Sequence, residues 1–168
     1  MSKLLSFIPN DWTKQYDKER AWLENQITDI GDAVVKKLIR EATKVRDNAY
    51  TPYSKYHVGA AILTASGRIY SSCNAEVVSW SESDHAEQST VTKAVSEGEI
   101  KRSGRKFVRA IAVVHDGDSG PCGRCRQVIA EHANNTVIVV AKPNGKIFSI
   151  VSLKMLLPLA FTPGDLEK

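Results

Sequence analysis

The stretch SDHAEQS, residues 83–89, sets a histidine two positions before a glutamate at the head of a helix-compatible run. Alone, it reads as ordinary helix surface. Further along, SGPCGRCRQ, residues 119–127, places Cys122 and Cys125 three positions apart behind Pro121. That spacing is one helical turn. A proline just ahead of the pair suits a helix start, where unpaired NH groups and the helix dipole stabilise thiolates. Two helices that each begin at a metal-binding side chain tie the architecture to a chemistry.

The hydrophobic spacing around these two stretches completes the fold. Trp12, Tyr16, Leu23 and Ile27 suit an amphipathic helix capped at Asn10 or Asp11 and ending near Gly31. Val34, Val35, Leu38, Ile39, Ala42 and Val45 share one face of a second helix over residues 32–48, with Lys and Arg on the other face. Pro52 blocks further helix; residues 58–63 read as a buried strand, and the turn ASG separates them from RIYSSCN, so a hairpin is predicted. A helix follows His85 to about Ser96 and stops at Gly98. Next come a strand in FVRAIAVVH, a helix in CRQVIAEHA, strands in TVIVVAK and GKIFSIV joined at PNG, and a last helix in SLKMLLP. This order predicts an α/β fold, a mixed sheet of about five strands covered by helices.

A chain of 168 residues suits one domain with a core of its own. The expected division is a helical extension over residues 1–31 and a catalytic domain over 32–168. The formal charge of +4 comes from basic residues scattered among acidic ones, which argues against a nucleic-acid polymer as partner. Three cysteines make a disulfide framework a poor fit and a reducing compartment a good one. No stretch approaches the roughly 20 apolar residues of a membrane span, and the N-terminus lacks a cleavage pattern. The expectation is a soluble, cytoplasmic protein with no membrane partner.

Zinc takes thiolate and imidazole ligands in a tetrahedral shell, and catalytic sites use three protein ligands. His85, Cys122 and Cys125 supply that number, so one zinc per chain is expected. A lone C-x-x-C also occurs as a redox pair, the lesser reading here. H-x-E followed by P-C-x-x-C is instead the established signature of zinc deaminases. Glu87 then serves as the proton shuttle, two residues beyond a ligand and not itself bound to metal.

From about residue 34 to its end the sequence resembles the cytidine deaminase family. AYTPYSKYHVGAAIL resembles its opening loop and first strand, CNAE its ribose-binding segment, PCGRCRQV its second zinc motif and LLPLAFTPGDL its C-terminal segment. The resemblance implies a three-layer α/β/α sandwich around a five-stranded mixed sheet, and hydrolytic deamination of cytidine and 2'-deoxycytidine to the uridine counterparts and ammonia. It implies that Asn74 and Glu76 bind the ribose of a free nucleoside, that Ala86 meets the substrate, and that Tyr56 packs on the pyrimidine where the family commonly has phenylalanine. A carboxylate beside the 3' hydroxyl would repel the phosphate present there in a polynucleotide. The family's oligomers imply a homo-oligomer, with a tetramer favoured by chain length and a dimer as the alternative.

Several residues depart from the family pattern. Many members use three cysteines and an arginine after the catalytic glutamate; here the ligand is His85 and the next residue is Gln88. A neutral imidazole in place of a thiolate removes one negative charge, so less cationic support is needed. Arg126 matches a family arginine able to donate to a thiolate. Trp80 keeps an aromatic in a loop made more acidic by Glu82 and Asp84, and Phe161 matches an aromatic at the mouth of an adjoining protomer's site. His57, His115 and His132 show no spacing that ties them to the metal, Cys73 reads as a buried strand residue, and HDGDSG, residues 115–120, reads as a flexible insertion. Two readings compete: a deaminase of a modified cytosine nucleoside, resembling the blasticidin S deaminases that lack the Asn-x-Glu pair, and a non-catalytic zinc-binding module.

Overall fold

One sheet with two apolar faces organises the chain. The computed structural model describes residues 17–166, so the predicted cap at Asn10 or Asp11, with Trp12 and Tyr16, lies outside the described residues. The strands are β1 (Gly59–Thr64), β2 (Ile69–Cys73), β3 (Val108–Val114), β4 (Val137–Ala141) and β5 (Ile147–Ser152), in the order β2-β1-β3-β4-β5. β3 and β4 are parallel, and the other neighbours are antiparallel. This is the predicted mixed sheet.

Strand periodicity sends alternate residues to opposite layers. Ala61, Leu63, Ala112, Val114 and Val139 pack with Leu23 and Ile27 of α1 (Asp17–Ile30) and Val35, Leu38 and Ala42 of α2 (Asp32–Arg46). Ala60, Ile62, Ile111, Val113 and Val140 face the other way. They pack with Val91 and Ala94 of α3 (Ala86–Ser96) and Ile129 and Ala130 of α5 (Gly123–His132). The N-terminal helix thus shares a core with α2 and the sheet, with Leu23 and Ile27 fully buried.

α4 (Glu99–Ser103) is an addition to the sequence reading. Gly98 does not simply stop α3; at φ +83° it turns the chain into a five-residue helix too short to show a period. Its buried Glu99 accepts hydrogen bonds from Tyr70 at 3.1 Å and Ser103 at 2.7 Å, fastening α4 to β2. The last helix is also short, α6 (Leu153–Leu156).

The β3-α5-β4 unit positions the site. Parallel strands need a crossover, and here the chain leaves the carboxyl end of β3 at His115 and reaches the head of α5 at Cys122. In open α/β sheets that end is where ligands bind. The head of α3 lies against it, because α3 packs beside α5 on the same face.

Candidate metal centre

Helix starts aim the ligands. His85 immediately precedes α3 and Cys122 immediately precedes α5, both with extended backbone angles, and neither side chain caps its own helix. Each is therefore free to reach outward. Cys125 sits one turn into α5, so both thiols stand at the positive end of that helix.

The Nδ1 atom of His85 lies 3.3 Å from the Sγ atoms of both Cys122 and Cys125, and the two sulfurs are 3.6 Å apart. Tetrahedral zinc at about 2.3 Å from sulfur and about 2.0 Å from nitrogen spaces two sulfurs by about 3.8 Å and sulfur from nitrogen by about 3.5 Å. The observed triangle agrees to a few tenths of an ångström. Burial, followed by the Glu87 carboxylate and Cys122, pushes the Cys125 thiol far above the ordinary thiol range. A divalent cation reverses that balance by deprotonating the sulfurs it binds. Soft sulfur ligands, one imidazole and room for a fourth ligand fit zinc.

His85 and Cys122 line a cavity of about 440 Å³, of a size that admits a small organic ligand. Ala86 and Glu87 form its floor, with Ala86 fully buried and Glu87 5% exposed. Asn74 and Glu76 reach it because their segment is held between two others: Ala75 pairs with Tyr50 on one side and with Asp84 on the other. Glu76 is thereby placed beside the ligand loop.

The Glu76 carboxylate accepts from the backbone NH groups of Tyr53 at 3.0 Å and Ser54 at 3.1 Å, and from the Ser54 hydroxyl. That hydroxyl bond, aided by the two NH groups and Lys55, holds its carboxyl below the usual range. Asn74 accepts from the NH of Val58 at 2.8 Å and donates to the Tyr56 carbonyl at 2.9 Å. One amide hydrogen of Asn74 remains for a ligand. Tyr56 and Trp80 stand on the cavity wall, 42% and 67% exposed.

Other expected residues lie elsewhere. Arg126 donates to the carbonyls of Pro121 at 2.7 Å and Leu156 at 2.8 Å, stapling the C-terminal segment to the loop before Cys122. No thiolate is among these partners. Gln88 has a buried side-chain oxygen without a hydrogen-bond partner among the described residues. Phe161 is 60% exposed and is not among the residues lining this cavity, although Gln127 donates to its carbonyl at 2.7 Å.

Three contributors had no sequence signal. Ser54 fixes Glu76. Arg124 donates to the Ser81 carbonyl at 3.2 Å and so ties the head of α5 to the acidic loop. His115, at 4% exposure, lines the cavity. The segment 115–120 is not the loose insertion that its composition suggests. Lys142 donates to the carbonyls of Asp116 and Gly117 and pairs with Asp118 at 2.6 Å, while Asp116 pairs with Arg46.

Comparison with known proteins gives a consistent picture. Residues 33–141 match the family described as the cytidine and deoxycytidylate deaminase zinc-binding region. A cytidine deaminase of Sporosarcina psychrophila is 45% identical over 136 residues, covering 79% of this chain and 95% of the relative. The crystal structure of a cytidine deaminase from Burkholderia pseudomallei superposes with a TM-score of 0.67 at 34% identity, covering 74% of this chain and 97% of that one. That of a cytidine deaminase from Mycobacterium tuberculosis gives 0.62 at 37% identity, covering 76% and 96%.

Proposed function

Because this chain belongs to the cytidine and deoxycytidylate deaminase family, we propose that it hydrolyses cytidine and 2'-deoxycytidine to uridine and 2'-deoxyuridine with release of ammonia, as an enzyme of pyrimidine salvage. The observation that carries the reading is the buried Glu87 carboxylate beside a zinc-shaped triangle of His85, Cys122 and Cys125, with Glu87, His85 and Cys122 lining the cavity.

Zinc bound there supplies a Lewis acid that brings the pKa of water down to about 7. Glu87, in the first turn of α3, takes the proton of the attacking water and delivers it to N3 of the pyrimidine ring. As the water oxygen bonds to C4, Glu87 carries the proton left on that oxygen to the amine nitrogen, and the C4–N bond breaks to release ammonia and leave a carbonyl. Its burial excludes bulk water from that transfer. Asn74 and Glu76 hold the ribose, Glu76 through the oxygen face left free by Tyr53 and Ser54. Tyr56 packs on the base, and Ala86 closes the floor against it.

The lining favours a nucleoside over a nucleotide. Its charged groups include the carboxylates of Glu76, Asp84 and Glu87, and no Lys or Arg is among the described residues that line it. A phosphate would meet like charge without a cation to answer it. Residues 32–168 form the catalytic domain and residues 1–31 an extension ahead of it; in support, the family match begins at residue 33. The protein works in the cytoplasm, in keeping with three free cysteines and with no described helix long and apolar enough to cross a membrane. It assembles as a homo-oligomer, a tetramer in preference to a dimer, so that exposed Phe161 reaches the mouth of an adjoining protomer's site. Gln88 sits beside the neutral His85 ligand where a charged residue would be superfluous.

The test is a deamination screen across cytidine, 2'-deoxycytidine, cytosine, deoxycytidylate, adenosine and single-stranded DNA, with zinc content measured alongside. Turnover of the two cytosine nucleosides with about one zinc per chain is expected. Turnover of free cytosine alone would overturn the ribose-binding reading.

A further inference from the structure

His115 and Gly117 lie outside the metal motifs, yet they meet the aromatic wall of the cavity. The Tyr56 hydroxyl is 2.7 Å from Nδ1 of His115, and Nε2 of the same ring is 2.9 Å from the Ser119 carbonyl oxygen. A carbonyl only accepts, so Nε2 carries the proton. In the neutral imidazole Nδ1 is then bare and accepts the hydroxyl proton of Tyr56. The partners settle the tautomer.

Gly117 leaves the space that this bond occupies. A Cβ atom there would stand 2.5 Å from the Tyr56 hydroxyl oxygen and 3.1 Å from His115 Nδ1. The requirement is room, since its φ lies outside the left-handed region. The loop that carries both residues is fixed in turn by Lys142 and by the Arg46–Asp116 pair. Tyr56, 42% exposed at the cavity wall, is thus held at its far end by a buried histidine on a pinned loop.

We propose that His115 and Gly117 are positioning residues for nucleoside binding: they hold the Tyr56 ring in one orientation, with its hydroxyl proton committed to His115 and only oxygen lone pairs left to offer a ligand. The inference rests on the cytidine reading above. It adds to that reading two residues, 59 and 61 positions from Tyr56, as determinants of substrate affinity.

Steady-state kinetics on cytidine test it with Tyr56→Phe, His115→Ala, Gly117→Ala and the doubles Tyr56→Phe/His115→Ala and Tyr56→Phe/Gly117→Ala. Loss of this part-buried hydrogen bond predicts a KM increase of about tenfold in each single variant, with kcat within about twofold of wild type. Tyr56→Phe/His115→Ala should be no worse than the poorer single variant, because both remove the same bond. Tyr56→Phe/Gly117→Ala should likewise be no worse than the poorer single variant, because the hydroxyl that met the new methyl is gone. Unchanged KM in the single variants, or additive losses in the doubles, would overturn the positioning role while the cytidine reading stands. A wild-type protein that leaves cytidine untouched would overturn both.

Discussion

At the scale of single residues, Glu76 shows how a surface carboxylate becomes a binding group. It is half-buried, and alone an acid at a strand end is unremarkable. Tyr53 and Ser54 donate three hydrogen bonds to it, which leaves about one acceptor position for a ligand in the cavity it lines. With its folded pKa below the ordinary value near about 4.3, what the ionised group contributes is complete above that value. The contribution is lost only as pH falls through the lower folded pKa. Glu76→Ala should therefore raise KM for cytidine about tenfold or more, the worth of a hydrogen bond to a charged group. The wild-type to variant ratio should stay level from about pH 8 to about pH 5. A ratio that collapsed within that window would place the group elsewhere. The site ligands were legible because their chemistry demands fixed spacings. Ser54 and Arg124 were not, since a serine in a turn and an arginine on a helix carry no spacing rule. His115 was missed for a related reason: its partner Tyr56 lies 59 positions away and the bond joins two loops.

At the scale of elements, periodicity was sufficient for the long pieces and silent on the short ones. α2, α3, α5 and all five strands follow from alternation or helical repeat in their own residues. α4 does not, because five residues after a glycine show neither. What periodicity also hides is how closely elements approach. At Gly59, in the first position of β1, a Cβ atom would stand 2.0 Å from the Ala42 carbonyl oxygen and 2.9 Å from the Arg46 Cβ. α2 therefore lies directly on the strand, and glycine is required for clearance. Gly59→Ala should cost about 2–3 kcal/mol by forcing the helix outward, seen as a fall in Tm of roughly 5–10 °C by calorimetry. An unchanged Tm would mean that α2 packs farther from β1 than described here.

At the scale of the whole molecule, the fold converges separate segments on one cavity. The strand ends at Asn74 and His115, the helix heads at His85 and Cys122, and the turn at Ser54 are brought together by the order β2-β1-β3-β4-β5. The class of fold could be read from the order of elements, and the reaction from the two zinc motifs. The pinning of residues 115–120 could not, because Lys142 and Arg46 reach it from distant parts of the chain. α1 lies in the extension that precedes the catalytic domain, and its Leu23 and Ile27 are fully buried in the core formed with α2 and the sheet. Amphipathic spacing showed that this helix buries a face, but not which surface it buries. The account as a whole stands on the separation of metal binding from proton transfer. Glu87→Ala, assayed for both zinc content and cytidine turnover, tests that separation most directly. The expected result is about one zinc per chain, as in the wild type, with kcat reduced by about 10²–10⁴-fold, the usual worth of a general acid–base group. Unchanged turnover with zinc in place would contradict it.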